Sequence, residues 1–157
     1  MYEKETVSME TPTKDLYRDT PVRYLGYANE VGEAFRKIIG GKWVAATYGV
    51  ATLYVLADTY DKSSKCHDGG AATKKVVYTA ADTLLWQMLA SVAIPGLTIN
   101  RVCAASAYLL KNNKNLGKMP KKWAVTAIGL ATIPIIIKPI DHMVDTVLDN
   151  TFRKLSP

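Results

Sequence analysis

The stretch TLLWQMLASVAIPGLTINRVCAASAYLL, residues 83–110, carries one formal charge in 28 residues, Arg101. Such a run is a membrane span, two short spans, or the core of a soluble helical bundle, and the choice governs every other reading of the chain. Ile94-Pro95-Gly96 interrupts it. Proline removes a backbone donor and crowds the preceding helical turn. A single helix over 76–110 would be about 52 Å long, against a hydrocarbon core of about 30 Å. The chain is therefore predicted to kink or turn near Pro95. Residues 76–96 then make one full span. Residues 97–110 make a shorter apolar helix that re-enters the membrane or lies along the bundle.

Two further runs, WVAATYGVATLYVLA (43–57) and WAVTAIGLATIPIII (123–137), are each uncharged for 15 residues. The first is short of the roughly 20 residues that cross a bilayer. Lys42 can snorkel at its end and Tyr48 and Tyr54 can help to place it, so a span over about 40–60 is feasible. The second contains Pro134, a predicted kink, and is closed by Lys138-Pro139. Soluble helices normally keep a polar stripe. A chain of 157 residues has little room for three helices that are apolar all round, which favours membrane insertion. The mean hydropathy is about zero, as expected of apolar helices joined by charged connections.

Amphipathic segments flank these runs. Thr20-Pro21 reads as an N-cap followed by proline at the first helical position. PVRYLGYANEVGEAFRK then places Val22, Leu25, Val31 and Phe35 at roughly helical spacing, up to a stop at Gly40-Gly41. PIDHMVDTVLDNTFRKL at the other end sets Asp141, Asp145 and Asp149 four residues apart, opposite Ile140, Val144, Val147 and Leu148. DTYDKSSKCHDGGAATKK (58–75) and KNNKNLGKMPKK (111–122) read as polar connections. Residues 1–14 read as a flexible tail and 15–157 as one all-α membrane domain, with three apolar helices, or four if 97–110 also crosses. Trp43-x5-Gly49-Val50-Ala51-Thr52-Leu53 is weakly echoed by Trp123-x5-Gly129-Leu130-Ala131-Thr132-Ile133.

The formal net charge is +6, which attracts anions. The basic pairs Arg36-Lys37, Lys74-Lys75 and Lys121-Lys122 each lie close to an apolar run and form no dense block. That placement points to lipid headgroups, not to nucleic acid, with Arg36, Lys37, Lys42, Lys121, Lys122 and Lys138 as candidate contacts. The N-terminal 20 residues lack the apolar core of a secretory signal and the Arg-rich, acid-poor composition of a cleavable mitochondrial presequence.

Sites for catalysis are not legible. The chain has no phosphate-cradling G-x-x-x-x-G-K-[ST], no H-E-x-x-H and no C-x-x-C. No cofactor or metal is expected, and an enzyme is not expected. Asp82 and Arg101 are costly if they face lipid, so they form a candidate polar site inside the membrane.

Four stretches carry a resemblance: DLYRDTPVRYLGYANEVGEAFR (15–36), YGVATLYVLADTYDK (48–62), WQMLASVAIPGLTINRVCAAS (86–106) and KWAVTAIGLATIPIIIKPID (122–141). They closely resemble the mitochondrial fission process protein family, in order and over most of 15–155. The resemblance implies an integral, multi-pass protein of the inner mitochondrial membrane that acts in mitochondrial division and inner-membrane integrity. It transfers no catalytic residue. Expected partners are anionic lipid, including cardiolipin, and other inner-membrane proteins or division machinery. The rival reading is a small carrier-like or channel-modulating protein that affects ion or proton permeability through Asp82 and Arg101.

Overall fold

The computed structural model describes Tyr17 and residues 20–156; the tail read over 1–14 lies outside the described residues. The described chain is all-helical. Thr20 caps the first segment as expected, its Oγ1 accepting from the Val22 N–H at 3.3 Å. A 3-10 segment, Pro21–Tyr27, leads into α1 (Ala28–Ala34) and a single turn, α2 (Arg36–Ile39). The chain stops at Gly40, whose φ of +84° favours glycine.

α3 runs from Gly41 to Asp68, well past the predicted end of its apolar run. The polar stretch after residue 58 is helix, not connection. The reason is local. Asp58 pairs with Lys62 and Asp61 with Lys65, both four residues apart with the acid on the N-terminal side. Thr59 and Ser63 donate back to the carbonyls of Val55 and Thr59. The helix ends only at Gly69 and Gly70, the second with φ +80°.

Near Pro95, where a kink or a turn is predicted, the chain does not turn back. α4 (Thr73–Gln87), a π-helical segment (Met88–Ala93) and α5 (Ile94–Leu110) form one continuous helix. The π segment absorbs the proline. The Ile94 N–H reaches back five residues to the Leu89 carbonyl, and Pro95, lacking a donor, opens α5 in the first turn. Asn29 on α1 donates from Nδ2 to the Val92 carbonyl at 2.9 Å, supplying that carbonyl with a partner from outside the helix. α6 (Lys118–Asn150) likewise stays helical through Pro134 and Pro139, and a 3-10 turn, Phe152–Leu155, follows.

The long helices form two antiparallel hairpins, as their short connections require. Along α3 and the next helix the pairs Cys66 with Thr79 and Asp58 with Gln87 run in opposite senses. α5 packs on α6 through Ile99, Cys103, Val125 and Ile133. α1 sits between the hairpins. Gly32 lies against Thr47 and Gly26 against Tyr54 on α3, Gly96 of α5 against Asn29, and Gly129 of α6 against Ala34. Small residues at all these crossings let the backbones approach closely.

That placement reverses the amphipathic reading of the N-terminal segment. Leu25 is 52% and Val31 40% exposed, while Glu30 is 1% and Glu33 3% exposed. The face with glycine and alanine is the one that fits the crevice, and the carboxylates go in with it. The sequence echo does not survive as a shared role. Gly129 is packed against Cys103 and Ala34, whereas Gly49 faces open space.

Candidate functional site: a polar seam inside an apolar bundle

Polar side chains of the 3-10 segment and α1 meet partners on α3, the π segment, α5 and α6. At one end the Glu33 carboxylate accepts two bonds from Arg36 at 2.8 Å each, one from the Tyr48 hydroxyl at 2.8 Å and one from Asn100 Nδ2 at 3.0 Å. A cavity of about 190 Å³, bordered by Arg36, Lys37, Asn100 and Cys103, adjoins it.

One turn earlier, Glu30 has the opposite surroundings. Neither of its carboxyl oxygens has a hydrogen-bond partner among the described residues. Two carboxyls on one short helix thus have opposite surroundings, one fully paired and one without a partner among the described residues.

At the other end Arg23 bonds Asp141 of α6 at 3.0 Å and Tyr27. Beyond it, a cavity of about 10 Å³ is bordered by Arg23, Tyr27, Tyr54, Trp86, Gln87 and Ser91, room for about one water. Gln87 donates to Asp58, which is fully buried, and Asp58 pairs with the half-buried Lys62.

The candidate residues read from sequence fall elsewhere. Asp82 does not meet Arg101. It accepts from Arg153 Nε at 2.8 Å, and Arg153 also bonds Asp145 at 3.0 Å and Asp149 at 2.8 Å. The acidic face of the C-terminal helix is therefore joined to α4 through one guanidinium, beside a stacked Tyr78–Phe152 pair. Arg101 is exposed. Arg153→Gln is expected to lower stability by about 1–3 kcal/mol by leaving carboxylates unpaired, and Arg101→Gln by no more than about 0.5 kcal/mol. Thermal unfolding in detergent separates the two.

Arg36, Lys37, Lys42 and Lys122 are exposed, and Lys121 donates to the Lys111 carbonyl at 3.2 Å. The Phe35–Trp123 edge contact brings the first and last of these helices together at that end. Lys138 is exposed farther along α6, three residues before Asp141. Sequence reasoning missed Asn29, Glu30, Glu33, Asp58, Gln87 and Asn100. The available signal was the alternation of small and acidic residues in Gly26 to Ala34, which fits a crevice better than a surface.

The description of the matching family model is Mitochondrial 18 KDa protein (MTP18), over residues 15–74 and 61–148. The chain is 55% identical over 148 residues to mitochondrial fission process protein 1 of Homo sapiens, covering 92% of this chain and 89% of the relative. It is 56% identical over 145 residues to that of Danio rerio, covering 90% and 88%. It is 51% identical over 147 residues to that of Caenorhabditis elegans, covering 90% and 89%. No solved structure matches. With the family model spanning nearly all of the described helices and relatives above half identity over about nine tenths of both chains, the chain belongs to the mitochondrial 18 kDa protein family.

Proposed function

We propose that the protein is a non-enzymatic, multi-pass component of the mitochondrial inner membrane that promotes mitochondrial division and supports inner-membrane integrity. The names of its relatives, mitochondrial fission process protein 1, support the division role. The observation that carries the membrane reading is a pair of long apolar helices with large apolar side chains on the outside of the bundle. Thr73–Leu110 and Lys118–Leu155 are helices of 38 residues, each apolar enough over an 18-residue window to cross a membrane. Leu53, Leu56, Leu97, Leu109 and Ile135 are exposed, while Asn29, Glu30, Glu33, Asp58 and Gln87 are buried beside the apolar core. Water disfavours that distribution and lipid favours it.

The exposed groove along α3, bordered by Ile38, Ile39, Trp43, Ala46 and Val50 with a volume of about 520 Å³, lies next to Arg36, Lys37 and Lys42. An acyl chain beneath an anionic headgroup fits that combination, which supports contacts with anionic lipid such as cardiolipin. Other inner-membrane proteins or the division machinery are the expected protein partners.

Single-cysteine labelling in sealed mitoplasts tests the reading. In a background lacking Cys66 and Cys103, probes go at Lys42, Ser63, Asn113 and Ser156. Asn113 is expected opposite both Ser63 and Ser156, and Lys42 opposite Ser63 if α3 crosses as well. Labelling of all four from one side, or release by alkaline carbonate, overturns membrane insertion. Failure of the inserted protein to restore mitochondrial morphology in cells lacking it overturns the division role.

A further inference from the structure

Charge is divided unevenly between the two ends of the bundle. Residues 34–57 and 83–137 hold three and six basic residues respectively, and no Asp or Glu. All of these but Arg101 lie at the α2–α3 corner or around the end of α5 and the start of α6. The Phe35–Trp123 contact brings the two places together. The opposite end is mixed, with four aspartates and four lysines between residues 58 and 82. One end of the bundle therefore attracts anions and the other does not.

The groove on α3 starts at the basic end. Trp43, Ala46, Thr47 and Val50 form a stripe along the helix, and Ile38 and Ile39 of α2 and Ala28 of α1 complete the lining. From Trp43 to Val50 it runs for about 10 Å, roughly two thirds of the hydrocarbon depth of one leaflet. Thr47 brings the one hydroxyl in this lining, and that hydroxyl donates to the Val44 carbonyl at 2.6 Å. The groove thus offers its occupant nothing to hydrogen-bond. A peptide laid along it would bring backbone N–H and C=O groups that find no partner there; an acyl chain brings none.

The mouth of the groove is open and positive. Nothing stands within 4 Å of a Cβ placed on Gly40, and a Cβ on Gly41 meets Arg36 Nη1 at 3.7 Å. Arg36 commits Nε and Nη2 to Glu33, so Nη1 is the nitrogen left over beside the start of α3. Lys42 is exposed, one turn before Ala46 on the same helix. The first turn of α3 has no side-chain cap, and its N–H groups add to the positive potential at the same corner. Lys37 lies on the other side of α2, beside Asn100 and Cys103.

We propose that this corner seats one phospholipid with an anionic headgroup. Its phosphate lies against Arg36, Lys42 and the start of α3, and one acyl chain follows the groove from Trp43 to Val50. The mouth calls for an anion and the lining for a hydrocarbon chain, and a membrane phospholipid presents the two in that order. A zwitterionic lipid lacks the net charge for which the basic end selects. The inference rests on the membrane reading above and deepens its lipid contacts, from attraction along the basic flanks to a single seat.

The full chain carrying Trp123→Phe is reconstituted in phosphatidylcholine vesicles. Trp43 is then the exposed indole, since Trp86 is buried. A small, equal share of the lipid is replaced by phosphatidylglycerol or by phosphatidylcholine brominated on the acyl chains, and quenching is compared at physiological salt, which screens diffuse attraction. The anionic lipid is expected to quench Trp43 several-fold more than the zwitterionic one. Ala46→Phe, which fills the groove with every charge in place, is expected to bring that ratio to unity. Lys42→Glu is expected to lower it to less than half, and Lys74→Gln with Lys75→Gln to leave it unchanged. A ratio of unity without these changes overturns the proposal. So does a preference that survives Ala46→Phe, which is diffuse attraction to the basic end. Quenching by neither lipid means that protein, a second copy included, covers the groove, and overturns it as well. Carbonate extraction of the same vesicles separates the two failures. A chain that is extracted defeats the membrane reading, whereas one that resists extraction with a ratio of unity defeats this inference alone.

A second measurement needs no substitution. A ligand that binds the folded chain raises its melting midpoint. In neutral detergent micelles, phosphatidylglycerol is expected to raise the midpoint by several degrees more than the same amount of phosphatidylcholine, and equal midpoints overturn the proposal.

Discussion

Lys62→Met is expected to destabilise the protein by about 3–5 kcal/mol, the usual cost of stripping a buried charge of its partner. Asp58 is fully buried, and its two partners are Lys62 and Gln87. Gln87 is itself committed, since its Oε1 accepts from Ser91. Without Lys62 the carboxylate keeps a single neutral donor in a buried position one turn along α3 from Tyr54 and Val55. The double variant Asp58→Asn with Lys62→Met removes the orphaned charge and is expected to recover most of the loss. Chemical or thermal unfolding in detergent micelles, run as a double-mutant cycle, measures both. A single variant that costs no more than an exposed ion pair, under about 1 kcal/mol, would show that water or lipid reaches Asp58.

Gly32→Ala should lower stability by about 1–3 kcal/mol through overpacking. A methyl there would stand 2.0 Å from Thr47 Oγ1 and 2.8 Å from Thr47 Cβ. Rotating the hydroxyl away does not help, because the Cβ is fixed to the backbone of α3. Gly49→Ala on the same α3 provides the opposite expectation. Nothing lies within 4 Å of its new methyl, so only helix propensity operates, and a gain of up to about 1 kcal/mol follows. The two melting midpoints should move in opposite directions. If both rise, α1 is not seated against α3 as described.

The fold class and several of its limits were legible in the residues. Thr20-Pro21 and Gly40-Gly41 mark a start and a stop that depend on local chemistry alone, so local reading finds them. DTYDKSSKCHD was read as a connection because its composition is polar. Its acid-to-lysine spacing, which makes a good helix, carries the stronger signal. Pro95 was read as a kink or a turn because proline in an isolated helix leaves the disturbed backbone without a partner. The π segment and the Asn29 side chain, 63 residues away in sequence, together satisfy the backbone that the proline disturbs.

The candidate site was the least legible part. Asp82 was grouped with Arg101 because its partner Arg153 is distant in sequence and lies in a segment that reads as solvated. Glu30 and Glu33 looked solvated because a short helix with spaced valine and leucine ordinarily buries them. Which face turns inward is decided by the shape of a crevice made from three other helices, and no local pattern contains that information.

The wide turn at Met88–Ala93 also acts as a phase adjuster. Six residues wound at the π pitch turn through roughly 100° less than they would in an α-helix, about the rotation of one residue. α5 is thereby indexed against α4 as though the segment were one residue shorter. Winding all six residues at the α pitch would rotate the whole of α5 by about 100°, turning Asn100 away from Glu33 and Ile99 out of its contact with α6. Deleting one residue while the backbone relaxes to the α pitch would leave that phase unchanged. The spacing between WQ at 86–87 and TINRVC at 98–103 is therefore a gauge set by angle: members of this family that share the seam should either keep it together with the wide turn or shorten it by one residue with an unbroken α-helix, while tolerating changes of length at Gly69–Ala72.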